Sequence, residues 1–101
     1  MLVSVRPQAR RDIRGIAFYY KREANVRVTA RFLEGIESSF QLLSRSPEAG
    51  MLCGFSGRSR TIRKWPVQDF DKLLIFYQVT DSKIDIVRVL HGSRDVETIF
   101  S

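Results

Sequence analysis

The apolar residues of this chain change their spacing part-way along the sequence, from a helical repeat to the pattern of β-strands. Between residues 7 and 45 they recur at the spacing of one helix face, which predicts amphipathic helices. Between residues 60 and 90 they form short runs rich in β-branched and aromatic side chains, which predict strands. Helices followed by strands indicate an α+β fold, with a helical hairpin packed on one face of a small antiparallel sheet.

The ends of two helices can be located from residues that start or stop helical structure. Pro7 suits the first helical turn, and helical spacing continues from there to about Glu23. Asn25 can cap a second helix, which ends before Ser46 because Pro47 disfavours helical conformation in the residue before it. The link between the two helices is short, so they are expected to form a hairpin.

One strand is predicted ahead of the helices and three after them, at residues 2–6, 60–67, 70–79 and 84–90. The last three are expected to form an antiparallel meander, in which residues 73–77, apolar without a break, are a central strand covered on both faces. The expected order is β-α-α-β-β-β with a short C-terminal helical tail. The loop at residues 47–57 is expected to place Met51, Leu52 or Phe55 against the core.

Length and charge narrow the class of protein and of partner. A chain of 101 residues makes one domain, spanning residues 1–101. Its net charge of +6 and pI near 10.1 favour nucleic acid or an acidic protein as the partner.

The single Cys53 excludes an internal disulfide, and one cysteine with one histidine cannot hold structural zinc, so neither a metal nor a cofactor is expected. No apolar run is long enough for a membrane span, so we expect no membrane partner and a cytoplasmic location.

The side chains that stand out chemically are basic. The sequence has no Gly-rich phosphate loop and no motif of the GxSxG or HExxH type, so covalent catalysis has little support. A basic set on or beside the predicted sheet can hold phosphates or pair with acidic residues of a protein partner. Taken alone, Arg63 and Lys64 can also be ordinary exposed charges on a strand, with no role in a binding site. The members of the set are Arg58, Arg60, Arg63, Lys64, Arg88 and Arg94, with His91 beside them.

Arg88 and His91 each admit two interpretations. Arg88 stands inside an apolar strand, where a cation must either face a groove or pair with an acid. His91 can act as a general acid or base near neutral pH, or it can orient the turn that begins at Gly92. The acids considered as structural partners of Arg88 are Asp69, Asp71 and Asp85.

The helical hairpin has more apolar bulk than one face of a small sheet needs. If the surplus is exposed, an amphipathic segment of a partner can dock on it. The alternative is a complete core with scattered surface aromatics. The residues concerned are Phe18, Tyr19, Tyr20, Phe32, Leu33 and Phe40.

Two motifs at a fixed separation, LIFY at residues 74–77 and RVLHGSRD at residues 88–95, are the most diagnostic part of this sequence. Weaker matches are residues 9–16 with Tyr20, residues 30–32 with Ile36, and residues 43–50 around Pro47. In this order, and over nearly the whole chain, these stretches resemble the ParE/RelE superfamily of bacterial toxins, and the ParE branch in particular.

The resemblance implies a toxin of a type II toxin-antitoxin pair, held in a hetero-oligomer by a small ParD-like antitoxin. It also implies one of two actions on the same fold, because ParE-like members poison DNA gyrase whereas RelE-like members cut messenger RNA on the ribosome. The C-terminal segment of the antitoxin is expected to lie along the hairpin and the adjoining sheet groove. The residues expected to bind it are Ile16, Tyr19, Tyr20, Phe32, Ile36 and Phe40.

The C-terminal tail favours the gyrase hypothesis. RelE-like nucleases are similar to one another in using a cluster of Lys and Arg with a late Tyr, or a Glu/His set, but residues 96–101 contain neither Tyr nor His. We therefore expect an inhibitor that binds gyrase through Arg60, Arg63, Lys64, Arg88 and Arg94. The alternative is a ribosome-dependent endoribonuclease with Arg88, His91 and Arg63 as its catalytic residues. A decayed toxin that only binds its antitoxin is a third hypothesis.

Overall fold

The structure, a computed structural model, describes residues 1–100 and contains the predicted elements in the predicted order. Strand β1 (Leu2–Val5) precedes helices α1 (Pro7–Glu23) and α2 (Val26–Arg45). After the hairpin come strands β2 (Met51–Leu52), β3 (Arg63–Val67), β4 (Phe70–Val79) and β5 (Lys83–His91), and then helix α3 (Val96–Phe100). The α+β fold expected from the sequence is confirmed, and β2 is an additional short strand within the loop.

Both helices of the hairpin begin and end where the local signals place them. Pro7 occupies the first turn of α1, and the side chain of Asn25 accepts a hydrogen bond from the Val28 N–H at 2.9 Å, which caps α2. The Ser46 N–H closes the last turn of α2 by donating to the Leu42 carbonyl at 2.8 Å. The hairpin bounds are therefore dictated by short-range chemistry.

The five strands lie in the order β1-β5-β4-β3-β2. Strands β3, β4 and β5 form the expected antiparallel meander. Strand β1 differs from the expectation of a wholly antiparallel sheet, because it pairs with β5 in parallel, with Val5 opposite Ile86. The two helices and three further strands separate β1 from β5 in the chain, so no tight turn forces the two strands to be antiparallel.

The sheet buries apolar side chains on both faces. The face under the hairpin packs Phe32 and Leu43 of the helices against Ile75, Tyr77 and Ile86 of the central strands. The opposite face has a smaller cluster, in which loop residues 53–55 and α3 cover the central strands. The unbroken apolar run at residues 73–77 is explained by this arrangement, because β4 is covered on both sides.

A close approach between α2 and the turn from β3 to β4 anchors the hairpin on the sheet. A Cβ at Gly35 would lie 2.5 Å from the Gln68 carbonyl oxygen, so the position requires glycine. The buried Ser39 hydroxyl donates to the Gly35 carbonyl at 2.7 Å and accepts from the Gln68 N–H at 3.0 Å. One side chain thus satisfies polar groups of both elements where they touch.

The loop after α2 is held by the buried hydroxyl of Tyr77. This hydroxyl donates to the Pro47 carbonyl and accepts from the Gly50 N–H, both at 2.8 Å. Phe55 packs against the outer cluster as expected, but Met51 and Leu52 are 70% and 54% exposed. Of the three residues considered, Phe55 therefore meets the expectation, whereas Met51 and Leu52 form the edge strand β2, which pairs with β3.

Replacing Tyr77 by Phe removes this anchor without creating a cavity. The Gly50 N–H loses its buried acceptor, so we expect the free energy of unfolding to fall by about 1–3 kcal/mol in urea titrations. Tyr19→Phe is the matched control, since Tyr19 is 53% exposed and should leave stability unchanged. Equal stability of the two variants would show that the anchor contributes nothing.

Burial also raises the pKa of Tyr77 above its ordinary value of 10.0. Because the folded state favours the protonated phenol, this contribution to stability is complete below pH 10.0 and is lost as the pH rises further. Tyr77→Phe should accordingly lose less stability in that alkaline range than the unsubstituted chain does.

Candidate functional site

A cleft of about 410 Å³ opens between α1 and the ends of β4 and β5. It exists because β1 ends opposite Ile86, which leaves the last part of β5 without a strand on its outer side. Helix α1 crosses there. The floor of the cleft is apolar and its rim is basic and aromatic; Ile16, Tyr20, Leu73 and Val89 line the floor, and Arg11, Tyr19, His91 and Arg94 surround it.

An ion pair between α1 and β5 closes one side of this cleft. The Arg88 guanidinium donates two hydrogen bonds to the Asp12 carboxylate, from Nε to Oδ2 at 2.7 Å and from Nη2 to Oδ1 at 3.0 Å. The same Oδ2 accepts the Val89 N–H at 3.0 Å, so the carboxylate supplies an acceptor to the strand edge that β1 does not reach. The hydrogen bond to Asp12 raises the pKa of Arg88 above its ordinary value. The positive charge of Arg88 is therefore balanced by Asp12 within the fold.

The structure thus makes Arg88 a structural bridge with an acid that was not among those considered. Asp85 pairs instead with Arg6 at 2.6 Å, while Asp69 and Asp71 are exposed at the turn into β4. Asp12 lies 76 residues before Arg88 in the sequence, and only the crossing of α1 over β5 brings the two together.

His91 is held by the turn that follows β5. Its Nδ1 accepts the Ser93 N–H at 3.1 Å and lies 2.7 Å from the Ser93 hydroxyl oxygen. A backbone N–H can only donate, so Nδ1 is an acceptor and the proton of the neutral ring sits on Nε2. These contacts are of the kind that a turn-orienting histidine makes.

The remaining members of the basic set do not form one continuous surface. Arg63 donates to the Gly50 carbonyl at 2.7 Å and so fastens the loop after α2. Arg60 is exposed beside the turn at Gly57. Lys64 and Arg94 do come together, because both line a cavity of about 310 Å³ on the sheet face that carries α3.

The predicted apolar docking residues separate into two surfaces and the core. Ile16, Tyr19 and Tyr20 lie along the cleft, whereas Ile36 and Phe40 line a second groove of about 380 Å³ beside β1. Phe32 has no exposed surface. Its ring packs between Tyr20 and Phe70, at centroid distances of 5.7 Å and 5.8 Å, so it belongs to the core and cannot touch a docked partner.

Arg11, Asp12 and Gly15 are among the cleft residues that sequence reasoning did not single out. Asp12 is the one acid among the arginines of the first three turns of α1, and that isolation is the only signal that could have marked it. Gly15 also lines the cleft, and a Cβ there would meet nothing within 4 Å. The helix surface is therefore open at that point, so a partner can approach its backbone closely.

Other classes of site find no support in the part of the chain that the structure describes. Among residues 1–100 no three His, Cys, Asp or Glu side chains are grouped so that they could hold a metal ion. None of the helices in this range is long and apolar enough to cross a membrane. Cys53 is half-buried, and burial raises the pKa of its thiol despite the opposing effect of Lys64.

Comparison with known proteins gives a family and a fold. Residues 3–96 match the family described as ParE toxin of type II toxin-antitoxin system, parDE. A chain of the chromosomal ParDE TA system from P. aeruginosa has a similar fold, with a TM-score of 0.73, 14% sequence identity, and coverage of 90% of this chain and 95% of that chain. At this identity the solved structure supports the fold alone. A search of curated proteins gives no match.

Replacing Asp12 by Ala tests whether the ion pair holds α1 against β5. The change leaves Arg88, whose side chain is 19% exposed, without its anion, and leaves the Val89 N–H without its acceptor. We expect unfolding free energy to fall by about 2–4 kcal/mol in urea titrations. Glu23→Ala is the control, because the Arg22–Glu23 pair is exposed and should contribute less than about 1 kcal/mol. A similar loss in both variants would contradict this role of Asp12.

Proposed function

Since this chain belongs to the family of ParE toxins of type II toxin-antitoxin systems, we propose that it inhibits DNA gyrase by binding and is neutralised by a ParD-like antitoxin. The proposed action takes place in the cytoplasm and requires no chemical step on the toxin. The observation that carries it is the engagement of Arg88 with Asp12, because this removes the most unusual cation of the sequence from any reacting centre.

The other candidate catalytic residues support the same proposal. Arg63 is occupied with the Gly50 carbonyl, and His91 has its Nδ1 occupied by Ser93. General acid-base catalysis needs a pair of groups that can give and take a proton within reach of one substrate. Arginine does not deprotonate in proteins, so these residues do not supply such a pair. Binding is therefore the better-supported mode of action.

The cleft between α1 and β5 is our candidate for the antitoxin. Its apolar floor suits leucine-like or aromatic side chains, and the Arg11 and Arg94 rim suits acidic residues beside them. Because the floor includes the edge of β5, an extended or helical segment lying there would be fixed by both α1 and the sheet. The groove at Ile36 and Phe40 gives the same segment a second apolar contact on the hairpin.

The candidate surface for gyrase is the exposed part of the basic set. Arg60 and Lys64 are exposed, and Lys64 shares a cavity with Arg94 on the face opposite the hairpin. A target bound there does not occupy the proposed antitoxin cleft, which lies on the other side of β5. Arg94 lines both the cleft and this cavity. Arg63 and Arg88 are not part of this proposed surface, because their side chains are bonded to other parts of the fold.

A nuclease is the second candidate function, and one observation favours it. The cavity of Lys64 and Arg94 also has the partly exposed Phe55 in its wall, whereas Phe76, which lines it too, has no exposed surface, and the acids Asp95 and Glu97 lie beside it. Cations beside aromatic rings are a common arrangement for holding a nucleotide, with the phosphate on the cation and the base on the ring. Cleavage of messenger RNA on the ribosome would use this cavity.

Parallel supercoiling and translation assays with purified toxin separate the two functions. We expect gyrase supercoiling to be inhibited and translation to continue. The double variant Lys64→Glu with Arg94→Glu should need at least about tenfold more protein for the same inhibition, because charge reversal opposes binding. His91→Ala should inhibit within about threefold of the unsubstituted toxin, since no proton transfer is involved.

The matched control is Arg45→Glu with Lys83→Glu, which makes the same change of net charge at residues outside the proposed surface. Loss of inhibition in this control would show that net charge alone matters. Translation arrest with intact supercoiling would replace the gyrase proposal by the nuclease. A chain that affects neither process and does not harm cells when expressed alone would be a decayed toxin.

Antitoxin binding is tested with two neighbouring aromatic residues of α1. Tyr19 lines the cleft, whereas Phe18 is 63% exposed and does not. Tyr19→Ala should weaken binding of the cognate antitoxin about tenfold or more, as measured by calorimetry, because a partly buried aromatic contact is lost. Phe18→Ala should bind as the unsubstituted toxin does. The reverse ranking would place the antitoxin on the outer face of α1 instead.

A further inference from the structure

One side of α1 carries a row of cations outside both surfaces proposed above. Arg10, Arg14 and Lys21 are all exposed. At 3.6 residues per turn they fall within about 40° of one another around the helix axis, and they extend over about 16 Å. The only other residue on this row is Ala17, which is half-buried and small. The helix therefore presents a straight, rigid line of positive charge.

No acid of this helix neutralises the row. Asp12 is occupied with Arg88, and Glu23 pairs with Arg22. Across residues 1–100 the only other ion pair joins Arg6 to Asp85. The charges of Arg10, Arg14 and Lys21 thus remain free to meet an external anion, and Arg10 and Arg14 repel each other at a spacing of four residues.

We propose that this row binds the backbone phosphates of double-stranded DNA. Phosphates are regularly spaced along each strand of the duplex, so a rigid row of three cations about 16 Å long can contact about two or three of them. An acidic protein is the competing partner, but stable protein interfaces have an apolar centre that is depleted in charged residues. The row offers no large apolar side chain of its own, and Phe18 on the adjoining row lies beneath the Arg22 guanidinium.

This inference does not rest on the proposed action on gyrase, because contact with DNA needs neither the enzyme nor the antitoxin. If both hold, a toxin that approaches gyrase through Lys64 and Arg94 has a separate helix with which to contact DNA. The contact is expected to be independent of base sequence, since phosphate contacts position a protein but carry no sequence information.

The test is binding of the full chain to a fluorescently labelled duplex, followed by anisotropy from about 50 to about 200 mM salt. The triple variant Arg10→Gln, Arg14→Gln and Lys21→Gln should bind at least about tenfold more weakly at the lowest salt. The slope of log K against log salt should become shallower by about 2–3, since each lost phosphate contact accounts for about 0.9. These side chains are exposed, so circular dichroism and thermal unfolding should show an unchanged fold.

Two further variants make the result specific. The control Arg45→Gln, Lys72→Gln and Lys83→Gln removes the same charge away from α1 and should keep most of the affinity and slope. The conservative variant Arg10→Lys with Arg14→Lys keeps the charges and should bind as the unsubstituted chain does.

Three outcomes would overturn the proposal. The unsubstituted chain could fail to bind duplex at low salt, or the α1 triple variant could lose no more than the control. The third is that the row is needed for binding polyglutamate and not for binding the duplex, which would assign it to an acidic protein.

Discussion

The carboxylate of Asp12 accepts a hydrogen bond at a part of the sheet edge that β1 does not cover. Strand β1 is too short to cover all of β5, so the end of β5 has an unpaired N–H at Val89, and Asp12 accepts it. A carboxylate taken largely out of water needs a counterion, and Arg88 provides one in a two-point contact. This arrangement fixes how α1 lies on β5, and so fixes the width of the cleft between them.

Hydrogen bonds within the fold separate structural polar groups from those available to partners. Arg88, Arg63 and His91 are the residues that chemistry alone would choose for a reacting centre, yet each makes a hydrogen bond that holds an element or a turn. The exposed charges that form no ion pair include those of Lys64 and Arg94 and the row along α1. A protein whose unpaired charges lie on its surface is suited to binding macromolecules. The proposals for antitoxin, gyrase and DNA all follow from this distribution of charge.

The two-layer architecture keeps these surfaces apart. The hairpin covers one face of the sheet, so its buried side supplies the core while its outer side is free to carry charge. The second face is covered only in part, by α3 and residues 53–55, and its cavity is lined by Lys64 and Arg94. The apolar cleft opens where the helix layer meets the edge of the sheet. Each surface can therefore meet a different partner without rebuilding the fold.

The sequence by itself determined the helices and the longer strands, because a proline, an asparagine cap and the spacing of apolar residues act over a few neighbouring positions. It also determined that residues 73–77 are covered on both faces, since an unbroken apolar strand has no side suited to water. Tertiary structure decided the parallel pairing of β1 with β5, the burial of Phe32, and the choice of Asp12 over Asp85 for Arg88. Those outcomes join residues far apart in the chain, and such contacts depend on how whole layers pack rather than on any local pattern.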